Sequence, residues 1–239
     1  MAQRSRLLGR ELVAAGTIAC RLERPAHFTF RAGQYIDVTL DRPRFDDAQG
    51  PTRSLSLASA PGDPDLVVLA RVRDTAFKRS LAEMPLGAPL LIDGPGDDLS
   101  LDRDGGRPLV LVAGGVGIAP FRSLLREADG RSEPLSATLF YSNRRPEDAA
   151  YLEEMYELAH RLRGLQLVPT MTRACESRRG WKGETMRLGT SLFERWLPAL
   201  LGPRYYVVGS TLLIAGLCQE LERAGIPGAD IRVEMYTGY

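Results

Sequence analysis

The stretch VAGGVGIAPFRSLL, residues 112–125, decides the fold class of this chain. It begins as a buried apolar strand, continues through Gly114, Gly115 and Gly117, and reaches Pro120 where that residue can occupy the first turn of a helix. Glycines let a backbone approach a diphosphate closely, and the N–H groups at a helix start favour an anion. The spacing differs from the G-x-G-x-x-G dinucleotide fingerprint. By itself, the stretch therefore indicates either a phosphate site or a tightly packed strand–helix turn.

Strand and helix patterns alternate from residue 108 to the end of the chain. The strand patterns PLVLVAGG, SATLFYSN, LQLVPTMT, RYYVVGS and DIRVEMY are separated by segments with helical spacing, such as APFRSLLREA and TLLIAGLCQELERAG. Buried strands joined by helices are typical of a parallel sheet covered on both faces. We therefore expect an α/β doubly wound parallel-sheet domain over residues 105–239.

The first part of the chain has a different pattern. Short alternating runs, among them FTFRAGQYIDVTL, RSLSLAS, DLVVLARV and APLLIDGP, are separated by Gly, Pro and Asp turns, with one helical turn near AFKRSLAEM. This pattern is typical of an antiparallel barrel or sandwich. The polar link LSLDRDGGRP, residues 99–108, indicates the boundary, so we expect two domains, the first an antiparallel β-barrel over residues 1–104.

The charges of the chain are nearly balanced. Its 239 residues include 31 Lys and Arg and 30 Asp and Glu, a formal net charge of +1, so no global field attracts nucleic acid or an anionic membrane. The apolar run near the start is broken by Glu11 and Gly16 and fits neither a secretory signal nor a membrane span. We expect a cytoplasmic protein without a nucleic-acid or membrane partner.

The cysteines and histidines do not predict a metal centre. Cys20, Cys175 and Cys218 are far apart and odd in number, which argues against a disulfide framework, a zinc site and an iron–sulfur cluster. His27 and His160 lie in unrelated segments without a second ligand at useful spacing.

A candidate anion-binding strand is PTRSLSLASAP, residues 51–61. With its leucines on one side, Arg53 can project towards an anion, while Ser56 and Ser59 offer hydroxyl groups. The alternative is a polar-faced barrel strand.

A second cationic segment is RVRDTAFKRSL, in which Lys78 and Arg79 fall at the opening of the short helix. Two cations at that end oppose the helix dipole unless they meet a negative ligand. The alternative is a solvated basic turn.

Taken together in chain order, the segments PTRSLSLASAP, RVRDTAFKRSL and VAGGVGIAPFRSLL resemble motifs of the ferredoxin–NADP reductase superfamily. The resemblance extends across nearly the whole chain. Residues 53–59, RSLSLAS, resemble the family's flavin motif Arg-x-Tyr-Ser-x-x-Ser/Thr, and AGGVGIAP is similar to its nicotinamide-nucleotide loop. The resemblance implies that Arg53 holds a flavin phosphate and that Ser56 lies near the redox edge of the isoalloxazine. It also implies that Glu234 and a tyrosine, either Tyr236 or Tyr239, approach the flavin.

The chain departs from the family pattern at several positions. Leu55 replaces the usual aromatic residue of the flavin motif, and Lys78 replaces the hydroxyl residue of the family's Gly-x-x-Ser/Thr-x-x-Leu phosphate turn. The triplet Val208-Gly209-Ser210 stands where many relatives have Cys-Gly-Pro. A charged helix start suits a diphosphate, so FAD is the expected flavin and FMN the alternative.

The nicotinamide cofactor is expected to be NADPH, with NADH as the alternative. A 2′-phosphate needs cations near strand ends, which Arg144, Arg145 and Arg173 supply. Thr172 and Arg173 resemble the Ser-Arg pair of NADP-dependent members, although an arginine after the second strand of this domain also occurs in NADH-using relatives.

The resemblance implies a flavoprotein reductase that transfers a hydride from NAD(P)H to bound flavin and passes electrons to an acceptor. The acceptor is a ferredoxin-like or flavodoxin-like carrier, an oxygenase or a small molecule. Two alternatives are a non-catalytic electron-transfer or regulatory subunit and a reductase that uses flavin as a dissociable substrate. The expected catalytic residues are Ser56 and Glu234. The expected cofactor-binding residues are Arg53, Leu55, Ser56, Ser59, Phe77, Lys78, Arg79, Tyr236, Tyr239, Gly114, Gly115, Gly117, Pro120, Arg144, Thr172, Arg173 and Gly209.

Overall fold

The computed structural model describes residues 2–96, 99, 101 and 106–236. The chain forms two compact units. The first comprises Met1–Ser100 and Ala119–Glu127, and the second comprises Leu101–Ile118 and Ala128–Tyr239. The expected order, an antiparallel barrel followed by a parallel-sheet α/β unit, is confirmed.

The first unit is built on six strands and one helix. They are β1 (Gln3–Ala14), β2 (Thr17–Leu22), β3 (Tyr35–Leu40), β4 (Thr52–Ser56), β5 (Leu66–Arg71), α1 (Ala76–Glu83) and β6 (Pro89–Gly96). The strands are ordered β4-β3-β6-β1-β2-β5, and every neighbouring pair is antiparallel. A bridge between Leu57, just after β4, and Val68 of β5 joins the two ends of the sheet and closes the barrel.

The barrel core follows from the alternation of its strands. In β3, Ile36, Val38 and Leu40 are buried while the residues between them are partly exposed. Period-2 alternation directs one face of each strand inward. The helix α1 contributes Phe77 and Leu81 to the same core.

The second unit is a five-stranded parallel sheet. Its elements are β7 (Leu109–Gly114), α2 (Ile118–Gly130), β8 (Ala137–Asn143), α3 (Leu152–Arg161), β9 (Leu165–Met171), α4 (Thr190–Trp196), β10 (Arg204–Ser210), α5 (Thr211–Arg223) and β11 (Ile231–Tyr236). The strand order is β11-β10-β7-β8-β9. Successive strands are added on one side of β7 up to β9 and on its other side from β10 onward, so the strand order reverses between β7 and β10, where sheets of this type bind ligands.

One face of this sheet packs on α4 and α5. Phe193 of α4 lies 4.5 Å from Phe140 and 6.1 Å from Tyr205, measured between ring centroids. Leu217 and Leu221 of α5 extend the same core. Right-handed crossovers require α3 on the other face.

Most of α2 belongs to the barrel unit. Within that unit, a guanidinium nitrogen of Arg122 donates to the carbonyl oxygen of Ala58 at 2.6 Å, and the hydroxyl of Ser123 donates to the carbonyl of Ser59 at 2.6 Å. Arg122 and Ser123 are both buried, so these bonds satisfy backbone groups that water cannot reach.

No helix among the described residues is both long enough and apolar enough to cross a membrane.

Candidate functional site

Arg53 of β4 is held by the turn that precedes its strand. Its guanidinium donates to the carbonyl oxygens of Gln49 at 3.1 Å, Gly50 at 3.0 Å and Thr52 at 2.6 Å. It also lies 5.4 Å from the ring centroid of Phe77 in α1. The barrel therefore places the predicted phosphate-binding arginine against the predicted phosphate-binding helix.

The N-terminus of α1 is capped by a carboxylate from another part of the chain and not by its own N-cap residue. Thr75 stands at the N-cap position but makes no capping hydrogen bond. Instead, Oδ2 of Asp47 accepts a hydrogen bond from the N–H of Ala76 at 3.1 Å. The hydroxyl oxygen of Thr75 is buried and has no hydrogen-bond partner among the described residues. This end of α1 therefore attracts anions and retains an unsatisfied polar atom.

Lys78 lies in a cluster of positive charges. Burial lowers the pKa of its ammonium group, and the charges of Arg73, Arg53 and Arg71 lower it further. A negative ligand such as a phosphate would favour the charged form of Lys78 and offset the repulsion from these arginines. The cluster fits the phosphates of a flavin.

Arg79 differs from its neighbour in the chain. Its guanidinium lies 3.8 Å from the ring centroid of Phe45, and one of its nitrogens is 3.4 Å from the carboxylate of Asp74. It is not among the charges that shift the pKa of Lys78. The two cations that the sequence predicted at this site therefore lie in different surroundings. Lys78 lies near Arg53, whereas Arg79 contacts Phe45 and Asp74.

The serines of the flavin-like motif are buried. Ser56 ends β4 opposite Tyr35, and 3% of it is exposed. The hydroxyl oxygen of Ser59 accepts from the N–H of Val67 at 3.0 Å, which contributes to closing the barrel. Leu55 is half-buried against the barrel core.

In the glycine turn after β7, Gly115 faces open space and Gly117 packs against a neighbouring strand. Gly115 has a φ of +56° and open space where a side chain would project. A Cβ on Gly117 would lie 2.4 Å from the carbonyl oxygen of Val208, so Gly117 allows the turn to pack against β10. Pro120 lies in the first turn of α2. The open side of Gly115 is the part of the turn that a ligand can approach.

Two further glycines border this turn. A Cβ on Gly114 or Gly209 would lie 2.5 or 2.7 Å from the end of the Leu213 side chain, which is flexible enough to move. Ser210 caps α5, where its hydroxyl oxygen accepts from the N–H of Leu213 at 3.4 Å. The ends of β7 and β10 are therefore small and closely packed at the point where strand order reverses.

A cavity of about 520 Å³ opens beside the carboxyl ends of β8 and β9. Its lining includes Arg144, Thr172 and Arg173 from the loops after these strands, and Leu212 from the start of α5. Arg187 also lines it, a residue that the sequence patterns did not single out. Because three arginines line one cavity, it suits an adenosine group that carries a phosphate.

Backbone contacts hold the two arginine-bearing loops together. The N–H of Arg173 donates to the carbonyl of Arg144 at 2.7 Å. Glu147 binds the second loop further along, accepting from the hydroxyl of Ser177 at 2.8 Å and the N–H of Arg178 at 2.9 Å. Hydrogen bonds from its own backbone N–H and from these groups lower the pKa of Glu147 to about 2.

Arg145, the third arginine that the sequence indicates for a 2′-phosphate, is engaged elsewhere. Its guanidinium donates to both carboxylate oxygens of Asp148, at 3.0 and 3.1 Å. Asp148 is buried, and its interaction raises the pKa of Arg145. Arg145 therefore stabilises the loop and is not part of the cavity lining.

The predicted C-terminal residues lie at the edge strand of the parallel sheet. Glu234 is 7% exposed and stands opposite Val208 in the register of β10 and β11. Tyr236 ends β11 opposite Ser210, and only its backbone position is described. Tyr239 lies outside the described residues.

Comparison with known proteins gives matches to one group of reductases. Residues 111–219 match the family described as the oxidoreductase NAD-binding domain. A ferredoxin–NADP reductase B of Sorangium cellulosum strain So ce56 is 30% identical over 217 residues, which cover 87% of this chain and 86% of that protein. The reductase component of a propane 2-monooxygenase from Mycolicibacterium goodii is 24% identical, over 98% of this chain and 67% of the relative.

The same architecture occurs in solved structures. A ferredoxin NADP+ reductase from Neisseria gonorrhoeae, determined with bound FAD and NADP, superposes with a TM-score of 0.80 at 22% identity and covers 100% of this chain and 99% of its own. Some oxygenase reductase components are longer, and this chain spans 39% and 56% of two of them.

Proposed function

This chain belongs to the ferredoxin–NADP reductase superfamily and is an NAD(P)H-dependent flavin oxidoreductase; from that premise we propose that it passes electrons from NADPH through FAD to a separate electron carrier or oxygenase component. The observation that carries the choice of NADPH is the cavity lined by Arg144, Arg173 and Arg187.

The barrel unit supplies the flavin site of the proposal. Arg53, Lys78 and the start of α1 would hold the flavin phosphates, because they combine positive charge with backbone and hydroxyl donors. Several donors spread over a strand and a helix suit the diphosphate of FAD better than a monophosphate. When bound, the flavin accepts two electrons from the nicotinamide and can release them singly to the acceptor.

The parallel-sheet unit supplies the nucleotide site. Arg144 and Arg173 would bind the 2′-phosphate with charge-assisted hydrogen bonds, and Arg187 would add a third cation. The apolar side chains of Leu212 and Leu213 offer a surface for the adenine ring. The open side of Gly115 would admit the diphosphate.

We assign one catalytic residue to each unit, Ser56 in the barrel unit and Glu234 in the parallel-sheet unit. Ser56 would donate its hydroxyl hydrogen to the redox edge of the flavin, and Glu234 would hold a proton. A buried serine at a strand end and a buried carboxylate in an edge strand are both fixed in position, which favours an orienting role.

The proposed role of Ser56 predicts slower flavin reduction in a Ser56→Ala variant. We expect the rate constant in anaerobic stopped-flow reduction by NADPH to fall about tenfold or more, since orientation and hydrogen bonding at the reacting edge are lost. Bound flavin per protein should stay near the wild-type value. A Ser191→Ala variant, at an exposed position of α4 outside the cavity lining, serves as the control for loss of a hydroxyl. An unchanged reduction rate in Ser56→Ala would contradict the assignment.

The proposed acceptor is a ferredoxin-like or flavodoxin-like carrier or an oxygenase, with small acceptors as an alternative. Relatives are named as the reductase component of a propane 2-monooxygenase, the reductase subunit of a glycine betaine monooxygenase and component C of a methane monooxygenase, which supports an oxygenase as the acceptor. We propose a cytoplasmic location, which is supported by the free thiols of Cys20, Cys175 and Cys218.

The test of the proposed function is an absorbance spectrum of the purified protein from 300 to 550 nm, before and after anaerobic addition of NADPH or NADH. We expect two flavin bands that bleach with both donors and faster with NADPH. A colourless protein would favour the reductase with dissociable flavin. A yellow protein that neither donor bleaches would favour the non-catalytic subunit.

A further inference from the structure

We infer that Asp47 sets the affinity of the barrel for phosphate-bearing flavins, because its carboxylate occupies the anion position that a flavin phosphate would take. Asp47 lies in the loop between β3 and β4, outside the flavin-like motif of residues 53–59. The inference rests on the proposed flavin site and adds a residue that opposes binding there.

Asp47 contacts both phosphate-binding features of the proposed site. Its Oδ2 accepts from the N–H of Ala76 at 3.1 Å, at the start of α1. Its Oδ1 lies 3.7 Å from a guanidinium nitrogen of Arg53. A single carboxylate therefore neutralises the helix start and the arginine together, as a phosphate would.

The surrounding loop is fixed to α1, which keeps Asp47 in this place. The N–H of Phe45 donates to the hydroxyl of Ser80 at 2.9 Å, and that hydroxyl donates back to the carbonyl of Phe45 at 3.2 Å. A guanidinium nitrogen of Arg44 lies 2.6 Å from the carboxylate of Glu83. Because these contacts hold the second turn of the helix while Asp47 binds its first residue, withdrawing Asp47 requires the loop to loosen its hold on α1.

Asp47 does not replace a phosphate completely. The charges of Arg73, Arg53 and Arg71 all lower the pKa of Lys78, whereas Asp47 brings a single negative charge to the side of Arg53. The hydroxyl oxygen of Thr75 has no hydrogen-bond partner among the residues described, although Asp47 binds the adjacent N–H. A phosphate offers more acceptor oxygens and more charge than a carboxylate. The site therefore still favours phosphate, with an affinity reduced by the competing anion.

Replacing Asp47 with asparagine removes the charge. Its single amide oxygen can accept from one of the two N–H groups that the carboxylate binds, that of Ala76 at 3.1 Å or that of Gln49 at 2.9 Å. We expect Asp47→Asn to lower the Kd for FAD and FMN by about twofold to fivefold, the range for one partly exposed charge interaction. Riboflavin lacks a phosphate, so its Kd should change less than twofold. This difference between flavins separates competition for phosphate from a general change in the barrel.

The experiment is a fluorescence-quenching titration of flavin-free protein with FAD, FMN and riboflavin. Asp46→Asn is the matched control, because the neighbouring carboxylate is exposed and the variant makes the same change in net charge. The inference is supported if Asp47→Asn lowers the Kd for FAD and FMN while Asp46→Asn binds each flavin with the Kd of the wild type. Equal changes with all three flavins, or an unchanged or higher Kd for FAD in Asp47→Asn, would overturn it.

The result also separates this inference from the proposed function. If wild type and both variants bind no flavin, the proposed function falls together with the inference. If all of them bind FAD with one Kd, the proposed function stands and only the role of Asp47 is wrong. If Asp47→Asn does not fold, as judged by circular dichroism, Asp47→Ser repeats the test with a smaller uncharged side chain.

Discussion

Gly115 and Gly117 lie two residues apart in the turn after β7, yet the space beside them differs. Gly115 needs glycine because its φ is +56°, and its open side faces no other part of the described chain within 4 Å. Gly117 needs glycine because a Cβ would lie 2.4 Å from the backbone carbonyl oxygen of Val208. The two readings of the glycine-rich stretch, a ligand loop and a packing turn, therefore apply to different residues.

This distinction predicts that Gly117→Ala destabilises the protein. The added methyl group would push two backbone segments apart, and we expect a loss of about 1–3 kcal/mol in the free energy of unfolding, as for other overpacked sites. Urea unfolding followed by circular dichroism measures it. Gly130→Ala is the control, because Gly130 ends α2 with open space around it. Equal stability of the two variants would contradict the packing role.

Arg173 is expected to discriminate between the nicotinamide cofactors. In Arg173→Ala, the KM for NADPH should rise about tenfold to hundredfold, because a charge-assisted hydrogen bond contributes about 1.5–3 kcal/mol. The KM for NADH, which has no 2′-phosphate, should change little. Steady-state reduction of ferricyanide with each donor measures both values.

The control for that variant is Arg131→Ala, which removes an arginine whose side chain is 60% exposed and lies outside the cavity lining. It should leave both KM values near those of the wild type. Equal increases for NADPH and NADH in Arg173→Ala would show that Arg173 does not recognise a 2′-phosphate.

At the scale of elements, the loop after β9 depends on one carboxylate for its position. Glu147 follows β8 and accepts hydrogen bonds from Ser177 and Arg178 of that loop. Since Arg173 begins the same loop, Glu147 acts on the nucleotide cavity through the backbone and not by direct contact.

Glu147→Gln should therefore weaken NADPH binding and remove a pH-dependent contribution to stability. The pKa of Glu147 is about 2 in the folded chain, below the ordinary value of 4.5. A lowered folded-state pKa contributes stability above about pH 4.5 that is lost as the pH falls towards 2. The difference in urea midpoint between wild type and variant should thus be largest near pH 7 and shrink below pH 4.5.

Glu157→Gln is the comparison for this carboxylate. Glu157 is exposed and lies 3.9 Å from Arg161 on the surface of α3, an arrangement that contributes little to stability. It should unfold like the wild type at each pH. A constant difference between Glu147→Gln and wild type across the pH series would contradict the proposed ionisation.

Several elements were predictable from pattern alone, and the contacts between them were not. The alternation of buried strands and helices after residue 108 predicted the parallel sheet, because strand and helix periodicities are local properties. The attachment of α2 to the barrel unit through Arg122 and Ser123 was not predicted, because both partners lie 64 residues away in the chain. No local pattern encodes a contact at that separation.

At the scale of the whole molecule, the two units have separate sheets and separate proposed ligand sites. We therefore expect the flavin and the nucleotide each to slow amide hydrogen exchange in a different part of the chain. In hydrogen exchange measured by mass spectrometry, FAD should slow exchange in residues 47–56 and 76–83. Adenosine 2′,5′-bisphosphate should slow exchange in residues 142–144, 172–173 and 212–220, which line the arginine cavity or lie beside it. Ligands protect the backbone where they stabilise local structure.

Adenosine 5′-diphosphate, which lacks a 2′-phosphate, is the control for the second ligand. It should give weaker protection in the same peptides at equal concentration. Protection by adenosine 2′,5′-bisphosphate confined to residues 76–83 would place the nucleotide phosphate in the barrel and contradict the assignment of the two sites.

By itself, the sequence determined the two architectures, the glycine turn and the flavin-like motif, since each depends on residues close together in the chain. The tertiary structure decided which charges share a site. It brought Arg187 to the cavity of Arg144 and Arg173, engaged Arg145 with Asp148, and placed Asp47 at the start of α1. For Arg187, the physical reason is that parallel strands end at one edge of their sheet, where loops from distant parts of the chain meet. For Asp47, it is that the loop between β3 and β4 packs against α1. Which side chains these loops direct inward depends on how they pack, and sequence spacing does not specify that packing.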